Sequence, residues 1–527
     1  MTERQRVVVV TGGGGGIGAA IAESLGRAGA FVVTVDPLVS IDGSERLPPP
    51  EETTAGRIVA SGGTARASGV SVTDESGIRR LFHELAEEFG GLDAVVNVAG
   101  ISRPTGFATG SAEDWRSVLS VHLDGYRNVL GAALPLMAAA GRGHVLGVTS
   151  GSGWRPADAG AYGCAKRAVA ALTWQLGRHA PEGVVVNAIS PIAATRMVTA
   201  ALGNSRPASG AATGGLSLGS MPAPEQLGPL GAHLVDGTFA ACHGRVLFAA
   251  GSEIAVIDEP RLIEVVRSEG VPSAACLVEA ATTIALAPAQ TRQVSGGGSN
   301  ARFGALFEAP SADGLPTSPV RSCAVVTDRP LVATALADAL AAWGVASHAI
   351  DSPTALASLD ALDAVVVAMA GADETEAATS AWQRILDEHA DIAEQIHADA
   401  RWARAVADLA VDEQRPIRLV TVTAATTAGG RTRAQAAAQL ARAGRAATGD
   451  LVWAFAISAE SEDVPARFAA HLACSPEAVS LAGAELASQT SWFGLRSHPR
   501  PIGSISFGGP AVPGWFDDVL REIVAPR

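Results

Sequence analysis

Tyr162 and Lys166 are the side chains whose types and spacing point most directly to chemistry. The chain holds two tyrosines, Tyr126 and Tyr162, and a single lysine, Lys166. In Tyr162-Gly163-Cys164-Ala165-Lys166 they stand four residues apart at the start of an expected helix, which puts both on one face about 6 Å apart. A free phenol is a poor base near neutral pH, and an adjacent ammonium favours its phenolate. A tyrosine tuned in this way removes an alcohol proton as hydride leaves, or donates a proton to a carbonyl oxygen in reverse. Almost every basic position is Arg, so the surviving Lys marks a place that needs a compact ammonium on a slim stem. Lys166 is also placed to hold a nicotinamide ribose. Upstream, Thr149-Ser150-Gly151-Ser152-Gly153 ends an expected strand, and a hydroxyl there would orient the reacting oxygen.

A second group of residues suits a dinucleotide. Thr11-Gly12-Gly13-Gly14-Gly15-Gly16-Ile17-Gly18 lies between a β-branched run and a helix. Glycines there let the backbone approach a pyrophosphate, and the helix aims its first N–H groups at the charge. Asp36, closing the second strand, can accept both hydroxyls of an adenosine ribose and would repel a 2′-phosphate. No Arg or Lys lies within the turn, so NAD is expected rather than NADP.

These side chains need strands and helices to bring them together. Arg6–Val10 reads as a strand; Ile17, Ile21 and Leu25 suit the buried face of a helix stopped by Gly29, and Phe31–Val35 reads as a second strand. After a loop holding Pro48-Pro49-Pro50, the pattern predicts a helix near 51–60, a strand near 68–72 and a helix over 75–89. Strand Asp93–Val98, a helix over 112–139, strand His144–Thr149, a helix over 160–179 and strand Val184–Ile189 follow. A last strand, Gly244–Ala250, precedes an expected helix around 259–268. Continuously apolar strands alternating with helices indicate α/β architecture, a doubly wound parallel sheet covered on both faces. Its ligand crevice lies at the carboxyl ends of the strands, where the glycine turn and the 149–153 segment both fall.

Composition narrows the class further. With 39 Lys plus Arg against 53 Asp plus Glu the net charge is −14, which disfavours nucleic acid and anionic membrane surfaces as partners. Cys164, Cys242, Cys276, Cys323 and Cys474 form no CxxC pair and read as buried small hydrophobes in a reducing compartment, with no metal site. The first strand starts at Arg6, and no long uninterrupted apolar stretch exists, so a soluble, cytoplasmic protein without signal peptide or membrane span is expected.

The motif set resembles the short-chain dehydrogenase/reductase family over roughly residues 5–270. Thr11-Gly-x-x-x-Gly16-Ile17-Gly18, Asn97-Val98-Ala99-Gly100, Ser150, Tyr162-x-x-x-Lys166 and Ser190-Pro191 occur in the family's order. The resemblance implies a seven-stranded Rossmann-type sheet and hydride transfer between nicotinamide and an alcohol or ketone. It implies Tyr162 as acid/base, Lys166 as its electrostatic partner and Ser150 as donor to the substrate oxygen, with Ser152 as substitute. By the same resemblance Gly12, Gly15, Gly16, Ile17 and Gly18 line the pyrophosphate, Val72 the adenine, and Asn97, Ala99 and Gly100 the central ribose region. Pro191 and Thr195 meet the carboxamide side of the nicotinamide. Two departures stand out. Ser71-Val72 replaces the pair whose Asp would hold the adenine amine, and His122 aligns with the catalytic Asn of the family's fourth helix. Val121-His122-Leu123 is similar to the peroxisomal multifunctional hydroxyacyl-CoA dehydrogenase branch, and an imidazole there would relay protons itself.

The remainder reads as a worn copy. Leu92-Asp93-Ala94-Val95-Val96 recurs as Leu362-Asp363-Ala364-Val365-Val366, Val148-Thr149 as Val422-Thr423, and Ala188-Ile189-Ser190 as Ala456-Ile457-Ser458, in the same order at similar spacing. The expected first strand of the copy is Cys323–Thr327 and its first helix Leu331–Trp343. The copy has no glycine fingerprint, no Tyr and no Lys. The expected domains are therefore 1–293, catalytic; 294–320, a linker; and 321–527, a degenerate Rossmann-like domain without cofactor motif. Family members commonly pair through their fourth and fifth helices, so the second half is expected to dock there and imitate a partner subunit, within a homodimer. The nearly uncharged 197–224 segment would close over an apolar alcohol or ketone, such as a 3-hydroxyacyl thioester or a steroid. The alternative is an NAD-binding scaffold or sensor without turnover.

Overall fold

The valine run at the start of the chain becomes β1 (Val7–Thr11), buried throughout, as a central parallel strand must be. In the computed structural model, which describes residues 4–203, 221–267, 278, 282–295, 315–359, 361–371, 380–509 and 511–525, it lies inside a nine-stranded sheet. The other members are β2 (Phe31–Val35), β3 (Thr64–Ser68), β4 (Ala94–Asn97), β5 (Gly143–Val148), β6 (Val184–Pro191), β7 (Val246–Ala250) and β8 (Glu253–Asp258) from the first half. A ninth strand comes from near the end of the chain. The second sheet holds β9 (Leu262–Arg267), β10 (Ser322–Val326), β11 (Ala346–Ala349), β12 (Ala364–Val367), β13 (Ile417–Ala424), β14 (Val452–Ala459), β15 (Glu485–Gln489) and β16 (Trp492–Arg496). The ninth strand of the first sheet is β17 (Arg500–Ser506). The sheet orders are β17-β8-β7-β6-β5-β4-β1-β2-β3 and β11-β10-β12-β13-β14-β15-β16-β9. Both have a parallel core with antiparallel additions at one end.

The sequence repeat corresponds to matching strands: Ala94–Val96 lies in β4 and Ala364–Val366 in β12, each beside the first strand of its own half. The two halves also exchange strands. β8 stays in the first sheet while β9, four residues later, edges the second; β16 stays in the second while β17 edges the first. The helix Phe516–Val524 likewise packs on the first half, with Phe516 and Leu520 buried beside Leu234 and Phe239. The sheets therefore do not divide at a 294–320 linker, and the second half of the sequence supplies part of the first body. Residues 296–314 of that segment lie outside the described residues, as do Cys276 and positions 204–220 of the uncharged segment.

Other expectations need correction. The 259–268 helix is β9: Leu262-Ile263-Glu264-Val265-Val266 is rich in β-branched residues, and pairing with β16 decides its form. The strand placed at 68–72 is β3 at Thr64–Ser68, an exposed edge strand with no apolar run to mark it. The 112–139 helix is two helices, Ala112–Leu119 and Gly125–Ala140, joined by a π-helical turn at Ser120–Asp124. The first sheet has nine strands, not seven.

The halves meet through small side chains. Ala161, Cys164, Ala165 and Ala168 of the helix Gly160–His179 pack against Ala436, Ala437 and Leu440 of the helix Ala428–Ala447 in one buried cluster. Inside this seam, Arg167 is fully buried; it donates to Glu485 Oε2 at 2.7 Å and to Gln435 Oε1 at 2.9 Å. Cys164, Cys242, Cys323 and Cys474 are buried free thiols. Among the described residues no helix is long and apolar enough to cross a membrane, and no group of His, Cys, Asp and Glu is arranged for a metal.

Candidate functional site

Thr11 ends β1 beside Asn97, which ends β4, and the two side chains are joined by a hydrogen bond from Thr11 Oγ1 to Asn97 Oδ1 at 2.8 Å. The chain then turns sharply through Gly12, whose φ of +65° favours glycine. A Cβ there would lie 2.8 Å from the Ala99 nitrogen, and one on Gly18 would lie 2.2 Å from the Gly12 oxygen. Gly15 and Gly16 face open space instead, with only Arg196 Nη2 (3.5 Å) and Thr195 Cγ2 (3.7 Å) near the positions a Cβ would take. This backbone cradle at the start of the helix Gly16–Arg27 fits the pyrophosphate of a dinucleotide. Asp36 stands at its rim, where its carboxylate accepts from the Gly14 N–H at 3.0 Å and the Leu38 N–H at 2.8 Å. Two lone-pair positions of the carboxylate are thereby committed to shaping the turn.

Two strands along the sheet from β1, the loop after β5 carries Ser150, and the helix Gly160–His179 carries Tyr162 and Lys166. The Ser150 hydroxyl lies near enough to Tyr162 to oppose the rise that burial causes in the phenol's pKa. The Lys166 ammonium lies 5.7 Å from the centre of the Tyr162 ring and donates to the Val148 carbonyl at 2.7 Å. The expectation that Lys166 holds the phenol pKa down does not describe this arrangement. Burial pushes Tyr162 up, with the nearby Ser150 hydroxyl opposing, and burial brings Lys166 down to about 7. The desolvation of both groups outweighs their mutual effect.

His122 lies in the π-helical turn, a distortion common at functional sites. Its ring is buried and meets Tyr162 edge-on. Nε2 lies 2.7 Å from the Ile101 oxygen and 3.2 Å from the Ile101 nitrogen; the shorter contact assigns Nε2 as donor. Nδ1 is buried with no hydrogen-bond partner among the described residues. Burial, then the Lys166 charge, holds the imidazole well below its ordinary pKa, so the ring is neutral. Gly100 makes room for it: a Cβ there would sit 2.4 Å from His122 Cε1.

Pro191 ends β6, and Thr195 caps the following helix, accepting from the Val198 N–H at 3.3 Å. Ile17 is half-buried against the first core. Val72 turns its side chain into the protein, against Gly125, while its carbonyl accepts from Asn128. Ser152 points its backbone N–H at Ser150 Oγ (3.3 Å), and its carbonyl accepts from Gln439. The fold thus gathers Gly12, Gly15, Gly16, Gly18, Asp36, Asn97, Ala99 and Thr195 at one end of the crevice, and Ser150, Tyr162, Lys166, His122 and Gly100 at the other. Arg196 and Arg155 were not anticipated. Arg196 had a signal, following Thr195 directly; Arg155 had none beyond closeness to Ser150.

The family model for short chain dehydrogenase matches residues 6–205. The short-chain reductase protein NovJ of Streptomyces niveus is 34% identical over 197 residues, covering 37% of this chain and 72% of that protein. The cis-4-hydroxycyclohexanecarboxylate dehydrogenase of Sinomonas cyclohexanicum is 32% identical over 255 residues, covering 48% of this chain and 98% of that protein. The chain belongs to the short-chain dehydrogenase family. As such it is an oxidoreductase with an NAD(P)-binding Rossmann fold. The hydroxyacyl-CoA branch is not among the features these matches establish. The N-domain of a bacterial malonyl-CoA reductase, solved with NADP, is alike over 89% of this dehydrogenase and 95% of that chain, with a TM-score of 0.61 and 17% identity. That likeness is one of fold, and it spans both sheets.

Proposed function

We propose that this dehydrogenase transfers a hydride between NAD and a secondary alcohol, or its ketone, carried on an apolar frame. The observation that carries the reading is the convergence of Ser150 and Lys166 on Tyr162, with Lys166 one helical turn on, at the same end of the sheet as the glycine cradle. Bound there, the nicotinamide accepts or supplies the hydride. Ser150 holds the reacting oxygen by its hydroxyl. Tyr162 takes the alcohol proton in oxidation and returns it in reduction. Lys166, with a pKa brought near neutrality, is poised to gain and lose a proton beside the phenol. His122, neutral and with no partner to Nδ1 among the described residues, can accept a proton-bearing neighbour in a relay behind Tyr162. Asp36 at the rim supports NAD over NADP through its charge. The name of the Sinomonas relative supports a ring-bearing secondary alcohol. The second half serves as a built-in partner, covering the helix faces through which family members commonly pair.

The test follows NADH absorbance across hydroxyacyl thioesters, hydroxysteroids and hydroxycyclohexanecarboxylates. Tyr162→Phe should lower kcat by about a hundredfold or more while NAD binding stays within about twofold. Equal loss of both would remove Tyr162 from the acid/base role.

A further inference from the structure

We infer that Arg155 receives a carboxylate carried by the substrate, so that the preferred substrates are hydroxy acids. This rests on the proposed reading of Ser150 and Tyr162 as the end of the crevice that holds the reacting oxygen.

Arg155 lies five residues after Ser150, in the same loop. Its side chain folds back over Gly151, so that a Cβ built there would lie 3.6 Å from Arg155 Cδ and 3.8 Å from Cζ. The guanidinium stacks over Trp154 at 4.7 Å and lies 5.5 Å from the ring centre of Phe248 on β7. The residue is half-buried, yet no carboxylate pairs with it among the described residues. A cation resting on two adjoining aromatic rings, with no carboxylate on it among the described residues, is ready for one, because the guanidinium fork matches a carboxylate with two parallel hydrogen bonds.

The surroundings fix the side chain in advance. Trp154 Nε1 donates to Ser190 Oγ at 3.0 Å, which sets the plane on which the guanidinium rests. From the second half, Gln439 Nε2 donates to the carbonyls of Ser152 (3.0 Å) and Arg155 (2.9 Å), and Arg442 Nη1 to that of Trp154 (2.9 Å). Three of the loop's carbonyls are thus clamped from across the seam. Little freedom remains to be lost when an anion binds.

The phosphates of the cofactor are the wrong anion for this site. Phe248 is on β7, four strands from β1 in the sheet order, about 19 Å at usual strand spacing. The glycine cradle after β1 has Arg196 beside it instead. The anion at Arg155 must come with the molecule that reaches Ser150.

The test compares secondary alcohols bearing a carboxylate with their methyl esters, in wild type and Arg155→Met. Wild type should favour the acids at least tenfold in kcat/KM, mainly through KM. Arg155→Met should remove that preference while turnover of the esters changes by less than about threefold. No acid preference in wild type, or equal losses on acid and ester in the variant, overturns the inference. A second measurement is independent of turnover: calorimetric titration of the NAD-saturated full chain with benzoate and benzamide. Benzoate should bind at least tenfold more tightly than benzamide, and Arg155→Met should abolish the difference; equal binding of the two to wild type also overturns it. Tyr162→Phe should leave benzoate binding intact, so loss of the acid/base reading and loss of the carboxylate site are separately visible.

Discussion

His122 meets the ring of Tyr162 edge-on, with ring centres 5.1 Å apart and planes at 84°. The imidazole therefore sets where the phenol stands, and its Nδ1 is buried with no hydrogen-bond partner among the described residues. His122→Ala should lower kcat at least tenfold with NAD binding unchanged. Because the ring is neutral, the wild-type pH–rate profile should show no limb near 6.5 that His122→Asn removes. Stopped-flow and pH profiling check both, and an unchanged kcat in His122→Ala would end the assignment.

Lys166 makes a prediction with a definite sign. Its folded pKa of about 7 lies below the ordinary 10.5, so the unfolded chain binds more protons between those values. Stability then rises with pH across that window, as the cost of burying the ammonium disappears. Comparing urea midpoints at pH 7.5 and 9.5, Lys166→Met should show a smaller rise than wild type. A variant whose pH dependence matched wild type would contradict the buried ammonium.

Asp36 shapes the glycine turn and, in the proposed reading, faces the adenosine ribose. Asp36→Asn keeps one oxygen to accept from Gly14 or Leu38, turns its NH2 to the other N–H, and loses the charge. It should lower kcat/KM for NAD by about tenfold, on the order of one charge-assisted hydrogen bond, and improve it for NADP. Steady-state kinetics with both cofactors decide; an unchanged ratio would separate Asp36 from cofactor choice.

The buried Arg167–Glu485 pair spans the two halves at 2.7 Å, one residue from Lys166. Removing one partner leaves an uncompensated buried charge, so Glu485→Gln and Arg167→Met should each cost about 3–5 kcal/mol. The double variant should recover part of that loss in denaturant unfolding. Additive losses would mean the two do not act as a pair.

Residues 1–310 expressed alone lack β17, the helix Phe516–Val524 and the cover over Ala161, Cys164 and Ala168. The fragment should aggregate or turn over far more slowly than the full chain. A soluble, fully active fragment would remove the second half from its supporting role.

The sequence by itself determined what depends on short spacing. Tyr162 and Lys166 share a helix face because they are four residues apart, and the glycine turn follows β1 because β-branched residues and glycines each constrain their own backbone. The order of buried strands, and their repetition at 364–366, was legible for the same reason. Only tertiary structure decided what depends on partners distant in the chain. Leu262–Arg267 is a strand because β16 lies beside it, and β17 returns to the first sheet because β8 offers an edge. Lys166 titrates low because the packed fold excludes water from it, a cost that no local pattern records. Arg155 gained meaning only when Trp154, Phe248 and the Gln439 clamp surrounded it, since the field around a charge is set by everything that folds against it.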